Sequence, residues 1–204
     1  MGALSRGSVP ISQRGALMIE VLVTIVILAI GLMGLMQMQT RLQKSEMESY
    51  QRTQALILVN DMASRISTNR ADVDSYDTTG LSPAYLGAGG NNTPCTSTYA
   101  ADGLQLGDSG EWCQALLGAA ETQAGSSVGA MLGGRGCVQL IDVSEYMVTV
   151  VWQGLTPISA PPLEVDCAAG LYNLPAGSAC AEADNADMCR RYVTTVVRIA
   201  DLSP

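Results

Sequence analysis

The sequence predicts an α+β protein in which one long N-terminal helix, a membrane half followed by an amphipathic half, packs on a small antiparallel β-sheet with disulfide-tied loops. Three observations predict it. An uncharged run, VLVTIVILAIGLMGLM, spans Val21 to Met36. Beyond it apolar residues recur in steps of three and four as far as Ile66, with no proline between Pro10 and Pro83. The rest of the chain, after the long helical pattern, holds Val- and Ile-rich segments and all six cysteines. The implied organisation is a leader at 1–15, a helix at 16–70 with its transmembrane part near 17–36, and a globular domain at 71–204.

The first fifteen residues are polar and carry Arg6 and Arg14. From Ala16 to Met36 the chain has 21 residues whose only charge is Glu20, and about 20 apolar residues span a bilayer. Basic residues ahead of the run keep the N-terminus cytoplasmic, which places the remainder outside. An ordinary signal peptide fits poorly, since its apolar core is shorter and ends at a small-residue cleavage site.

Glu20 is the odd residue. A carboxylate inside an apolar span costs about 2.5–3.5 kcal/mol at the bilayer centre, less near the interface, and marks a functional position by default. A cut after Gly15 would create an amine on Ala16, one helical turn from Glu20. The alternative is a carboxylate that snorkels to the surface without a partner.

Gln37 to Arg70 is rich in Gln, Glu, Arg, Met and Leu, all good helix formers. Its apolar stripe comprises Leu35, Met38, Leu42, Met47, Tyr50, Ala55, Leu58, Val59, Met62 and Ile66, one face of a helix. A single helix from Ala16 to Asn69 has 54 residues and a length of roughly 80 Å. Gly31 and Gly34 are its weak points, or else sites of close helix packing.

Asp72 to Pro94 is a turn-rich connection. Asn91-Asn92-Thr93 matches a glycosylation sequon and reads as loop chemistry. Glu111 to Ala120 predicts a short helix with Trp112, Leu116 and Leu117 inward. Cys137–Ile141 and Glu145–Gln153 predict two strands joined by a turn at Asp142–Ser144, and Arg191–Ala200 predicts a third. The loop from Thr156 to Met188 holds four prolines and needs tying down, with Cys167, Cys180 and Cys189 as the ties. Glu182, Asp184, Asn185 and Asp187 form an acidic cluster, read as a solvated loop because the EF-hand spacing is missing.

Cys95, Cys113, Cys137, Cys167, Cys180 and Cys189 all follow the apolar run, and none forms a C-x-x-C pair. Three disulfides in an oxidising compartment are expected, with 15 connectivities open. The chain has no His and a formal net charge of −8. Loss of the commonest general base and metal ligand argues against a hydrolase or a zinc site. Net negative charge argues against nucleic acid as partner. No metal and no cofactor are expected.

The string Arg14-Gly15-Ala16-Leu17-Met18-Ile19-Glu20-Val21-Leu22-Val23 resembles the class III signal of type IV prepilins. The resemblance implies cleavage by prepilin peptidase between Gly15 and Ala16, N-methylation of Ala16, and subunit registration by Glu20. The family usually has Phe where this chain has Ala16. Asn60-Asp61-Met62-Ala63-Ser64-Arg65-Ile66 with Asn69-Arg70 looks like the helix end of the pilus-modification (PilV-type) minor pilins. Gly110-Glu111-Trp112, Leu132-Gly133-Gly134-Arg135-Gly136 and Tyr146-Met147-Val148-Thr149-Val150-Val151-Trp152 look similar to the same family.

By that resemblance the fold is pilin-like and the chain is a minor pilin of the tip or priming complex. Its partners would be other minor pilins, the major pilin, prepilin peptidase, the inner-membrane assembly platform, a tip adhesin, and membrane lipid before assembly. It would pass once through the inner membrane with a periplasmic domain, then move to the surface fibre. The nearest alternative is a minor pseudopilin of type II secretion. A membrane-anchored periplasmic enzyme built on Asp142, Glu145 or a serine is a third reading, although no G-x-S-x-G is present. A ligand sensor would lack a cytoplasmic signalling domain.

Overall fold

The computed structural model describes residues 14–89, 95, 104–119, 122–123, 126–127, 129, 131–173, 175–182, 184 and 186–200. Met1 to Gln13 of the expected leader, the Asn91-Asn92-Thr93 sequon and Asn185 lie outside the described residues. The chain divides into two compact units, 1–46 and 47–204.

Helix α1 runs Arg14–Thr68 without a break, within two residues of the expected bounds. It is long and apolar enough to cross a membrane, with a mean hydropathy of 2.6 in its most apolar window. In the first unit every side chain described from Met18 to Glu46 is exposed. The hydroxyl of Thr24 donates to the Val21 carbonyl, and that of Thr40 to the carbonyls of Met36 and Gln37. Both threonine hydroxyls are thereby satisfied by their own helix, as an apolar surrounding requires.

In the second unit the helix buries one stripe. Ala55, Leu58, Val59, Met62 and Ile66 are buried, while Met47 and Tyr50 remain about half exposed. The expected stripe is thus real, and within the second unit its buried part runs from Ala55 to Ile66. Asn69 ends the helix, and a 3-10 segment at Arg70–Tyr76 turns the chain inward on buried Tyr76.

The remaining elements follow in order: β1 (Leu86–Gly87), α2 (Leu104–Leu116), a two-residue hairpin of β2 (Thr122–Gln123) and β3 (Ser126–Ser127), β4 (Arg135–Asp142), β5 (Glu145–Gln153) and β6 (Arg190–Arg198). A second 3-10 turn spans Ala179–Ala181. The main sheet is antiparallel, in the order β1-β4-β5-β6. The three expected strands are its last three. The fourth, β1, pairs only Leu86 with Gly136 and Gly87 with Arg135. The turn between β4 and β5 places Ser144 at φ 61°. Helix α2 begins earlier and ends earlier than its expected Glu111–Ala120 span. Trp112 and Leu116 are buried as expected, whereas Leu117 is only partly covered.

Alternation along β5 assigns the two faces. Tyr146, Val148, Val150 and Trp152 join Val138 in the core beneath the α1 stripe. Thr149 and Val151 point the other way and are also fully buried. That second face is covered by the loop after β5, through a smaller cluster of Cys137, Val151, Cys167, Ala168 and Tyr172. Both faces of the central strand are therefore dry, which explains its near-continuous apolar sequence.

Three disulfides join Cys95 to Cys113, Cys137 to Cys167, and Cys180 to Cys189, with Cα separations of 5.3, 5.9 and 5.7 Å. The first attaches the segment before α2 to that helix. The second fixes the long loop to β4. The third closes the loop just before β6. Bridges over loops of this size contribute typically 2–4 kcal/mol each, on the order expected from restricting the unfolded chain.

Met62 sits at the centre of the stripe and is completely buried, whereas Ile57 on the same helix is 55% exposed. Met62→Ala should destabilise the domain by about 2–5 kcal/mol, and Ile57→Ala by about 0.5 kcal/mol or less. Urea titration of both variants in the oxidised state checks the difference. Equal losses would mean that α1 does not dock by this stripe.

Candidate functional site

The sequence points to two places on α1: its N-terminal turn and its C-terminal end. Gly15 and Ala16 lie in the first turns of the helix. Glu20 follows on an exposed surface and has no ion-pair partner among the described residues. Around it stand Met18, Ile19, Val21, Leu22 and Val23, all substantially exposed. The helix keeps its course through Gly31 and Gly34, and a Cβ at either would meet nothing within 4 Å. Neither glycine unwinds the helix or packs against the described residues of this chain. Chemically the segment is an apolar rod with one carboxylate and two notches.

The other end is a dense polar knot. Asp61 and Arg65 are one turn apart, and Arg65 Nε donates to Asp61 at 3.0 Å. Its Nη1 reaches Asp108 at 2.7 Å and Glu111 at 2.9 Å, both on α2. Asp108 also accepts from the Asn69 amide at 3.1 Å and from the Tyr76 hydroxyl at 2.6 Å. Asn69 donates to the same tyrosine oxygen at 2.7 Å. One carboxylate thus gathers the end of α1, the 3-10 segment and α2.

Beside this knot Trp112 is completely buried, and its indole Nε1 donates to the Leu58 carbonyl at 2.8 Å. A Cβ at Gly136 would overlap the indole, so β4 carries a glycine there to seat it. Gly133 adopts φ +63°. The intervening Arg135 lies between two aromatic rings, 5.3 Å from the Tyr85 centroid and 4.9 Å from that of Tyr172. The Asp61–Arg65, Glu111–Trp112 and Gly133–Gly136 strings therefore form one structural clasp between helix and sheet. Resemblance marked each string separately, but nothing local showed that Arg65 would meet Asp108 and Glu111, or Trp112 the Leu58 carbonyl, across more than forty residues.

Asp142 and Glu145, two of the candidate groups, each have a partner in the fold. Asp142 accepts the Val143 amide in the hairpin turn at 2.7 Å, and Glu145 pairs with Arg198 at 2.7 Å. In the acidic loop, Asp187 accepts the Gly170 amide at 2.9 Å and pairs with Arg190 at 3.2 Å. Among the described residues no three His, Cys, Asp or Glu side chains gather as a metal site would need.

Burial governs the tyrosines. It is the main cause pushing Tyr76, Tyr146 and Tyr172 up to about 12, with the carboxylates of Asp108 and Asp74 adding to the first two and Arg135 opposing it in the third. For Arg65, burial acts to lower the pKa, and hydrogen bonds to Glu111, Asp61 and Asp108 outweigh it to raise it.

A raised phenol pKa means that the folded state holds protons the unfolded chain has lost. Its contribution is complete below about pH 10 and disappears as pH rises through about 12. Urea midpoints should therefore fall between those values. Tyr76→Phe should lose about 1–3 kcal/mol at pH 8, from the broken bond to Asp108, and should decline less steeply above pH 10. An unchanged alkaline slope would mean that Tyr76 is not held protonated. No protein-family model, curated protein or solved structure matches this chain.

Proposed function

We propose that this chain is a minor subunit of a type IV pilus. It inserts by its apolar helix, is cut between Gly15 and Ala16, is N-methylated on Ala16, and enters the fibre in the tip or priming complex. The observation that carries this reading is Glu20, the one charged side chain from Met18 to Met36 on a helix surface exposed throughout. The apolar interior of a bilayer offers it no cation, and neither do this chain's described residues. A free amine on Ala16, in its own chain or a neighbour's, is the simplest partner, and only removal of the residues before it creates that amine.

The unpartnered apolar surface supports the same reading. Lipid covers it before assembly, and other such helices cover it afterwards. The docked segment Ala55–Ile66 holds a domain outside the membrane. A minor pseudopilin of type II secretion would use the same N-terminal features. The Asp61–Arg70 and Trp112 strings, which resemble pilus subunits, have packing roles here. They therefore weigh on the fold more than on the choice between pilus and pseudopilus. That choice rests on whether the gene lies beside other minor pilins or beside secretion components.

Intact and N-terminal mass spectrometry of the membrane-bound protein, with and without prepilin peptidase, tests the proposal. The expected product starts at N-methyl-Ala16 and appears only with the peptidase. Gly15→Val should block maturation. Glu20→Ala should leave cleavage largely intact while reducing incorporation into fibres. Normal assembly of both variants, or a chain that keeps Met1 in the presence of peptidase, would overturn it.

A further inference from the structure

The main sheet has two edges, and they are treated differently. One is β1, only two residues long. The other is β6, nine residues long, with no proline and no irregularity in its pairing with β5. Long unprotected edge strands present a row of unpaired N–H and C=O groups and are uncommon unless used.

The ladder shows which groups are free. Ile199 donates its amide to Ser144, and Cys189 accepts from the Gly154 amide, at either end of the β5–β6 pair. With period two, the odd-numbered residues between them turn their backbone groups toward β5. Tyr192, Thr194, Val196 and Arg198 therefore turn theirs outward. All four are exposed, and no described residue pairs with that side.

A hollow of about 290 Å³ lies at the Arg190 end of this edge, lined by Arg52, Trp152, Ile158, Ser159, Arg190, Arg191 and Tyr192. Arg190 pairs with Asp187 and donates to the Val165 and Cys167 carbonyls, and Arg191 pairs with Glu48 and donates to the Met188 and Thr156 carbonyls. Arg52 projects from α1, is exposed, and has no polar partner among the described residues. Trp152 is 3% exposed, and its indole N–H has no acceptor among the described residues. At the other end of the edge stands Arg198. Asp187, Glu48 and Glu145 pair with Arg190, Arg191 and Arg198, so the positive charge in excess along this edge is that of Arg52, beside the hollow.

We propose that the β6 edge is a strand-addition site for an acidic extended segment of a different protein, which seats a carboxylate side chain in the Arg52–Arg191 hollow. Backbone groups of Tyr192, Thr194, Val196 and Arg198 supply the hydrogen bonds, and Arg52 selects for acid. A second copy fits poorly. Pairing the whole edge with itself, centred on Thr194, sets Arg190 against Arg198 of the second copy at both ends, and brings two net-negative chains together. The inference does not depend on the chain entering a fibre.

The test uses the full chain in lipid nanodiscs and two fluorescent peptides, Glu-Val-Thr-Val-Thr-Val-Glu and its counterpart with Lys at both ends, read by anisotropy. The Glu peptide should bind at least tenfold more tightly than the Lys peptide, and less tightly as salt rises. Val196→Pro removes an outward N–H and leaves the β5 ladder intact, so it should weaken binding at least tenfold. Val196→Thr keeps that N–H and should bind like the parent. Arg52→Glu should weaken binding severalfold, and Arg52→Lys, which keeps the charge, should not. Absence of binding, equal binding of the two peptides, or indifference to Val196→Pro would overturn the proposal. A peptide-free dimer by analytical ultracentrifugation that Val196→Pro abolishes would assign the edge to a second copy instead.

Discussion

The contact on which the globular unit depends is Trp112 between α1 and β4. Its ring fills the space that Gly136 leaves open, and its N–H takes the Leu58 carbonyl. A helix carbonyl inside α1 already accepts a bond from its own helix, so the indole adds a second bond at a fixed point along the axis. That fixes the helix in register as well as in contact. The Arg65 knot repeats the logic two turns later with charge, binding three carboxylates on two helices. Apolar burial alone would let α1 slide along the sheet. The pair of polar contacts selects one position.

The sheet is closed in by different means on its two faces. Helix α1 and α2 cover one face with regular structure. The other is covered by an irregular loop that contains Pro157, Pro161, Pro162 and Pro175. This loop has little regular structure of its own, so it is held from outside: by Cys137–Cys167, by Arg190 donating to the Val165 and Cys167 carbonyls at 2.6 and 2.9 Å, and by Tyr172 donating to Gly133 at 2.8 Å. Arg190 is itself nearly buried, which an arginine tolerates when its donors meet carbonyls and a carboxylate.

Much of this was legible in the sequence where the signal is periodic. The length of α1, the β4–β5 hairpin and β6 follow from repeats of 3.6 and 2 that any segment displays on its own. Other features depend on who the neighbour is. Met47 and Tyr50 continue the stripe of Ala55 and Leu58 but stay exposed, because periodicity gives a face and not where the partner begins. Strand β1 is two residues whose extended pairing comes from Gly136 and Arg135, fifty residues away. The start of α2 contains Gly107, Asp108, Ser109 and Gly110, poor helix formers that the Arg65–Asp108 contact holds in place. Glu20 is the reverse case. Its oddness is plain in the sequence, and the isolated chain shows only that it lacks a companion.

The disulfides have a consequence for how the molecule bears load. All three close within residues 95 to 189, and none reaches α1. Tension applied along that helix passes to the domain through the backbone at Asn69, the one covalent link, and through the non-covalent contacts of the Ala55–Ile66 stripe, Trp112 and Arg65. The bridges harden the loops against heat and proteases but leave the junction to yield by peeling. Thermal toughness and resistance to pulling are therefore set by separate residues in this protein, and each can change without the other.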